Sequence, residues 1–457
     1  MNKRITLLLA GILVFISSYA QAADDLVRSA GLSSPSAKSQ PSLLPHLSEE
    51  QAARLSEQLS GVLTLEDCIR IALENSPSAV SAQLGIQEAH IQLNLARGEF
   101  LPTASAGASQ NYTVSNPAGG STSDHGNSNV YAQAQLAISG ITDKVRAVKI
   151  QQLAVEQAQQ TLDGQINSIT RNVKRAYYAL LSAVKTVDIR LKSRDLYQQQ
   201  YDRASEFYSE GLRPKVDVTT AEVNLNNEKL RLIRAQNAVK TASANLASVM
   251  GVTTPNQLQV ADVDLMEAVD IPFDQAVQTA YENRPDVLSA QTNAKIGQIR
   301  VNQAKAGYLP TLSFSAGFTK YDNNFALDNE ETKLMVSLDI PIFSAFKTYN
   351  GVKQARVNLA KINNNNRSLF NDVFLEVQNA YIAMQEAEQS VPIAELNVEK
   401  AKENLDLAQG RYNEGIGDVI ELKDAEVAYT DAELSLLTAR YDYASAVADL
   451  KQAMGTN

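Results

Sequence analysis

The sequence predicts a mainly α-helical chain with a small β portion suited to a membrane, folded as two tandem repeats. Three observations predict it. Ordered landmarks recur twice along the 457 residues at a nearly constant offset. Four segments alternate apolar and polar residues with a period of two. Two very long helical stretches carry almost no Gly or Pro, and each returns through a short glycine-centred turn into a helix with a period of seven.

The repeat is the frame for everything else. "ALENSP" at 72–77 matches "AYENRP" at 280–285, and "EFLPT" at 99–103 matches "GYLPT" at 307–311, both at an offset of 208. "AYYALLSA" at 176–183 matches "AYIAMQEA" at 380–387, and "MG" at 250–251 matches "MG" at 454–455, both at 204. The two glycine turns, "FYSEGLRPKVDVTTAEV" from Phe207 and "RYNEGIGDVIELKDAEV" from Arg411, keep that offset of 204. The repeats therefore span 62–252 and 271–457, joined by a linker at 253–270.

Residues 1–22 read as a secretory signal peptide. Lys3 and Arg4 precede an apolar run from Ile5 to Ile16, and Ala20-x-Ala22 precedes the cut. The run is too short to span a bilayer as a helix. Losing those two cations takes the net charge from −10 to −12, a balance that excludes a nucleic-acid partner. Residues 23–61 form a flexible Ser/Pro-rich lead-in, with one short helix in "SEEQAARLSEQL". The one cysteine, Cys68, has no partner for an internal disulfide and reads as a small buried hydrophobe.

Within each repeat the period switches twice. Helical patterns over 65–100 and 272–307 break at Pro77 and Pro285. Strands follow each Leu-Pro-Thr, at about 103–114 and 129–139 in the first repeat and about 311–321 and 332–343 in the second. Ala104, Ala106, Ala108 and Val114 alternate with Thr103, Ser105, Ser109 and Thr113, and Leu312, Phe314 and Phe318 alternate with Ser313, Ser315 and Gly317. Turn-rich stretches at 115–127 and 321–331 pair the strands into hairpins. Helices over 142–209 and 346–413 come next, the second carrying Pro392, whose missing N–H should kink it. At 1.5 Å per residue each would reach about 100 Å. The return helices show heptad rows, Val218, Leu225, Leu232, Val239 and Leu246 in one and Leu422, Tyr429, Leu436, Tyr443 and Leu450 in its mate. Beside the second row runs Ala425, Ala432, Ala439, Ala446 and Ala453, and alanine lets helices approach closely.

Four strands cannot close around a pore. An open sheet edge in a bilayer strands backbone N–H and C=O groups at several kcal/mol each, and the smallest membrane barrels need about eight strands. The barrel must therefore be assembled from several chains, with apolar faces on lipid and polar faces on water. The helices would continue the pore as a soluble tube.

With these landmarks in order and duplicated, together with "IPIF" at 340–343 and "GVKQA" at 351–355, the sequence resembles the TolC-type outer-membrane efflux proteins over about 62–455. The resemblance implies a homotrimer whose twelve-stranded barrel lies in the lipid of the outer membrane of a Gram-negative bacterium. A twelve-helix tunnel would then cross the periplasm. It also implies a periplasmic adaptor and an inner-membrane pump as partners, and a channel with no cofactor. The first repeat departs at one joint, where "AISG" at 137–140 stands in place of "IPIF".

The resemblance also assigns roles. Glu421 and Asp424, after the second tip, match the acidic residues that ring the closed end. Threefold symmetry would put six carboxylates in a narrow space, drawing cations and repelling anions. Glu421 also stands three residues after Asp418, the spacing of a helix capping box. Tyr412 and Asp217 match partners in the contacts that hold the tips shut. The family's arginine of the second tip is replaced by Gly417, and the aligned place in the first tip holds Arg213. Two readings stay open there: a weaker latch, or a cation supplied by the other hairpin. Tyr208, Gly211, Leu212, Gly415 and Ile416, in the tips at 208–214 and 412–418, are where an adaptor would dock. Pro214 fits a first helical turn.

Other chemistry finds no support. His46, His90 and His125 are scattered without metal-ligand spacing, and no nucleophile elbow, phosphate loop or paired-cysteine site is present. The chain is not expected to be an enzyme. The function expected is an export duct for small molecules such as drugs, with protein secretion as the alternative cargo. A non-conducting coiled-coil envelope protein is the alternative of another class, and it has no use for four half-polar strands.

Overall fold

A computed structural model describes residues 61–115, 123–253, 257–263, 270–322, 329–414 and 416–456. The expected signal peptide, nearly all of the lead-in, and Gly415 lie outside the described residues. The first repeat runs β1 (Val62–Leu63), α1 (Leu65–Asn75), α2 (Pro77–Gly98), β2 (Thr103–Ser115), β3 (Ser123–Ser139), α3 (Ile141–Ser209) and α4 (Lys215–Val249). Then come β4 (Gln259–Val260), α5 (Phe273–Asn283), α6 (Pro285–Ala306), β5 (Thr311–Asp322), β6 (Asn329–Asp339), α7 (Lys347–Asn413) and α8 (Val419–Ala453).

The helix breaks are local chemistry. Ser76 and Arg284 take extended backbone (ψ 123 and 124), as residues before proline do, and Pro77 and Pro285 open the next helix at its first position. The "MG" landmarks sit on these breaks. Gly251 and Gly455 have φ of 72 and 73. A Cβ on Gly251 would lie 2.8 Å from the Asn75 carbonyl oxygen, and one on Gly455 would lie 2.8 Å from the Arg284 nitrogen. Two motifs far apart in sequence are thus one packed joint, built twice. Gly251→Ala is expected to cost about 2–5 kcal/mol, from left-handed strain plus overpacking. Gly351→Ala, in an open helical position, should leave stability unchanged or slightly raised. Thermal unfolding followed by circular dichroism compares the two.

Strands β2-β3-β5-β6 form one antiparallel sheet in that order. The register keeps the two alternations in step across it: Ala104 pairs with Ala134, Ile138 with Phe314, Phe314 with Val336, and Leu312 with Leu338. β6 is exposed along its whole length, and Leu334, Val336 and Leu338 are each more than 60% exposed. β2 and β6 are the edges, with no further strand on either among the described residues. An apolar, uncovered sheet with two open edges is incomplete in a single chain.

β6 ends at Asp339, not at 343 as expected. Pro341 has no N–H to give a ladder, so "IPIF" is a joint and not a strand end. That joint runs through Ala345 and Phe346 at φ of 47 and 62, whereas the first repeat enters α3 through Gly140 alone at φ 59. Phe343 and Phe346 are exposed and meet edge-on, 6.0 Å apart.

The linker is more than a connection. Its β4 pairs in parallel with β1, Val62 opposite Gln259 and Leu63 opposite Val260. The Tyr177 hydroxyl, fully buried, donates to the Ala261 carbonyl at 2.7 Å and lies 3.1 Å from that of Leu63. Strands of two residues carry no periodicity to read. α7 remains one helix from Lys347 to Asn413 with Pro392 inside it, so the expected disturbance there does not end the helix.

The long helices pair as expected: α3 with α4, and α7 with α8. α3 also packs along α8, so the lateral order is α4-α3-α8-α7. Leu225, Leu232, Val239 and Leu246 are buried, as are Leu422, Tyr443 and Leu450 and the alanines 425, 432 and 453. Among the described residues no helix is long and apolar enough to cross a membrane.

Candidate functional site at the helical tips

The first tip closes α3 through Gly211 at φ 77, with Leu212 and Arg213 amides both bonded to the Phe207 carbonyl. Pro214 is the residue just before α4, its N-cap, one place earlier than a first-turn proline. The second tip copies this wiring. The amides of Ile416 and Gly417 donate to the Arg411 carbonyl, and Asp418 caps α8 by accepting from the Ile420 amide at 3.4 Å.

The structure brings Arg213, Tyr412 and Asp217 together. The Arg213 guanidinium lies 5.6 Å from the centre of the Tyr412 ring and 3.8 Å from Asp217 Oδ2, and it donates to the Gly417 carbonyl at 3.4 Å. Tyr412 is buried among Leu405, Ala408, Leu422 and Ala425, with Phe207 of the first tip packed on the same cluster. Burial pushes its hydroxyl above the ordinary tyrosine value; Arg213 opposes the shift and Asp217 adds to it. Gly417 explains the departure in the second tip. A Cβ there would come 2.8 Å from the Tyr412 nitrogen, which is backbone and cannot yield. The backbone therefore leaves no room for a side chain at 417, and the cation at this contact comes from Arg213 on the other hairpin.

Glu421 and Asp424 lie one turn apart at the start of α8, and both are exposed. The expected capping box does not form. Glu421 turns instead to Arg411 of α7, whose Nε is 3.3 Å away, a cation that outcompetes a neutral backbone amide. Tyr208, Leu212 and Ile416 are 46%, 65% and 73% exposed, and Val216 and Ile420, at the starts of the return helices, are exposed as well. The last two escaped the sequence reading because they fall inside helices.

A second polar contact, unseen in the sequence, joins the hairpins one step above the tip. Gln200 of α3 donates its amide to Glu426 Oε1 of α8, and both residues are buried. Glu426 Oε2 has no hydrogen-bond partner. Burial pushes this carboxyl from 4.5 up to about 8, against the opposing Gln200 hydrogen bond. Below pH 8 the folded protein holds a proton there that the unfolded chain releases above about 4.5. Stability should therefore fall as pH rises through that window, by on the order of a few kcal/mol. Glu426→Gln is expected to flatten that slope, read as the thermal midpoint between pH 5 and 8.5. Glu228, 1% exposed between Arg190 (3.3 Å) and Arg231 (3.2 Å), is another buried carboxylate the pattern hid. It sits three residues after Leu225 and four before Leu232, a spacing that marks the buried stripe.

Residues 68–252 and 276–456 match the family profile described as outer membrane efflux protein. The chain is 23% identical to outer membrane protein TolC of Escherichia coli K12 over 384 residues, covering 80% of this chain and 76% of that one. It is 21% identical to cation efflux system protein CusC of Escherichia coli O157:H7, over 81% of each chain. It is 22% identical to alkaline protease secretion protein AprF of Pseudomonas aeruginosa, over 61% of this chain and 60% of that one. A crystal structure of CusC superposes with a TM-score of 0.76 at 17% identity, covering 86% of this chain and 92% of that one.

Proposed function

Because the chain belongs to the outer membrane efflux protein family, a family of channels rather than enzymes, we propose that three copies of it form the exit duct of a tripartite export system. It is an outer-membrane protein of a Gram-negative bacterium. The observation that carries the proposal is the four-stranded sheet with two open edges, followed in each repeat by a helix of 69 or 67 residues, about 100 Å long. Three such sheets would close a twelve-stranded barrel, and six hairpins would close the tube below it. Tyr208, Leu212, Ile416 and the glycines 211 and 415 would meet a periplasmic adaptor, which links the duct to an inner-membrane pump. Arg213, Tyr412 and Asp217 would latch the tips, and Glu421 and Asp424 would ring the constriction.

The cargo proposed is small molecules such as drugs or toxic compounds, with protein secretion as the alternative; a cation efflux relative and a protease secretion relative align at similar identity, 21% and 22%. Purified protein in a planar bilayer should conduct ions; a trimer that never conducts would make it a structural envelope protein instead. Crosslinking from Ser209→Cys in living cells then reads the cargo class. Capture of an adaptor belonging to a proton-driven pump is expected, and capture of one serving a secretion ATPase would replace the small-molecule reading with protein export.

A further inference from the structure

Between α7 and α8, above the second tip, runs a groove of about 820 Å³, a size that holds small organic ligands. It is lined by Glu386 and Ser390 of α7 and by Asp431, Ser435, Thr438 and Asp442 of α8; the rest of its lining is alanine and Leu434. The three carboxylates are exposed. Each hydroxyl donates to the carbonyl four residues back on its own helix: Ser390 to Glu386 at 2.7 Å, Ser435 to Asp431 at 2.7 Å and Thr438 to Leu434 at 2.9 Å. Their hydrogens are already engaged, so these oxygens can offer a ligand only lone pairs. The side chains that line the groove are therefore acceptors without a donor among them. Such a lining suits a donor-rich cation and repels an anion.

The other repeat shows what this place holds when it is filled. At the offset of 204, the first hairpin has Ser182, Asn227 and Ala238 in place of the three carboxylates, and Arg231 and Arg234 in place of Ser435 and Thr438. Arg231 reaches the buried Glu228 at 3.2 Å, and Arg190 of α3 meets the same carboxylate at 3.3 Å. Ala394, Ala432 and Ser435 stand at the copies of that triad. One hairpin thus carries its own guanidinium groups where the other carries carboxylates and small side chains.

The groove also has a direction. On α8, Ser435 and Asp442 lie at whole multiples of seven residues from Glu421, and Asp431 and Thr438 at whole multiples of seven from Asp424. In a helix with a period of seven, these residues share one face. Whatever Glu421 and Asp424 look upon, the groove looks upon too, from about 10 Å to about 27 Å further along the helix than Asp424.

We propose that this groove binds elongated organic polycations, of which linear polyamines are the simplest. Their ammonium groups meet the carboxylates and hydroxyl oxygens, and the methylene segments lie on the alanines. Length decides the class of ligand. Asp431 and Asp442 are eleven residues apart on α8, about 16 Å, so a compact ion reaches one of them and a linear polycation reaches both. That the groove opens into a water-filled passage rests on the duct reading above. It deepens that reading by giving the cargo a chemistry: amine-rich cations pause in the tunnel wall beyond the acidic residues of the tip.

The test titrates spermine into the purified full-length assembly in detergent, followed by calorimetry. Saturable binding is expected. Glu386→Gln, Asp431→Asn and Asp442→Asn together should weaken it about tenfold, since each exposed ion pair lost contributes a few-fold. Ser435→Arg with Thr438→Arg, which copies the first hairpin, should abolish it. Glu421→Gln with Asp424→Asn should leave it in place. Unchanged affinity in both groove variants overturns the inference, and so does a loss confined to the tip variant. Displacement of spermine by equimolar magnesium overturns it as well, because charge without length would then suffice. Unmodified protein that binds spermine in this pattern but never conducts in a planar bilayer overturns the duct reading and leaves the groove assigned.

Discussion

Replacing Arg213 by Ala is expected to loosen the closed tip and raise its conductance. Three contacts are lost together: the face of Tyr412 at 5.6 Å, the Asp217 carboxylate at 3.8 Å and the Gly417 carbonyl at 3.4 Å. A half-exposed cation–π contact contributes about 0.5–1 kcal/mol and a hydrogen bond from a charged donor about 1.5 kcal/mol or more. About 2 kcal/mol per subunit is therefore at stake, and about 1.4 kcal/mol shifts an equilibrium tenfold. If opening releases all three tips at once, the open population should rise by at least tenfold, read as single-channel conductance in planar bilayers. Arg213→Lys keeps the charge but loses the planar fork and its stacking, and should fall between. Unchanged conductance in Arg213→Ala combined with Asp217→Ala would remove these residues from the gate.

Replacing Glu421 and Asp424 together by Ala should weaken cation selectivity and raise conductance at the constriction. Each single change removes one negative charge per subunit; Glu421→Ala also leaves the Arg411 cation, 3.3 Å away, uncompensated, so it should weaken cation selectivity at least as much as Asp424→Ala. The effect should be several-fold in dilute salt and largely gone at 1 M, where screening shortens the reach of a charge to about 3 Å. Reversal potentials across a salt gradient measure it, and an unaltered potential in the double variant would refute the acidic ring.

Some of this architecture was legible without coordinates because its causes are local. Proline after Ser76 and Arg284 breaks a helix wherever the chain lies. Alternation at Leu312, Phe314 and Phe318 needs only a strand's two faces, and the rows from Leu225 and Leu422 need only a helix turn. The duplicated glycine tips belong to the same class. The candidate site was partly legible: Tyr412, Asp217 and Arg213 could be named one by one, and the choice between a weak latch and a borrowed cation could not be made.

What the tertiary structure alone decided concerns groups far apart in the chain. The backbone at Gly417 lies against the Tyr412 nitrogen, which leaves no space for a side chain and gives the cation's place to Arg213. Glu421 finds Arg411 instead of its own helix cap. β1 finds β4, and Gln200 finds Glu426 across two hairpins 226 residues apart. Periodicity says which face of an element seeks burial, a property of neighbours in sequence. Which partner covers that face depends on the lateral order of the helices, which is set only when the hairpins pack. The sequence by itself determined the repeats, the strands and the long hairpins; packing decided which charges meet.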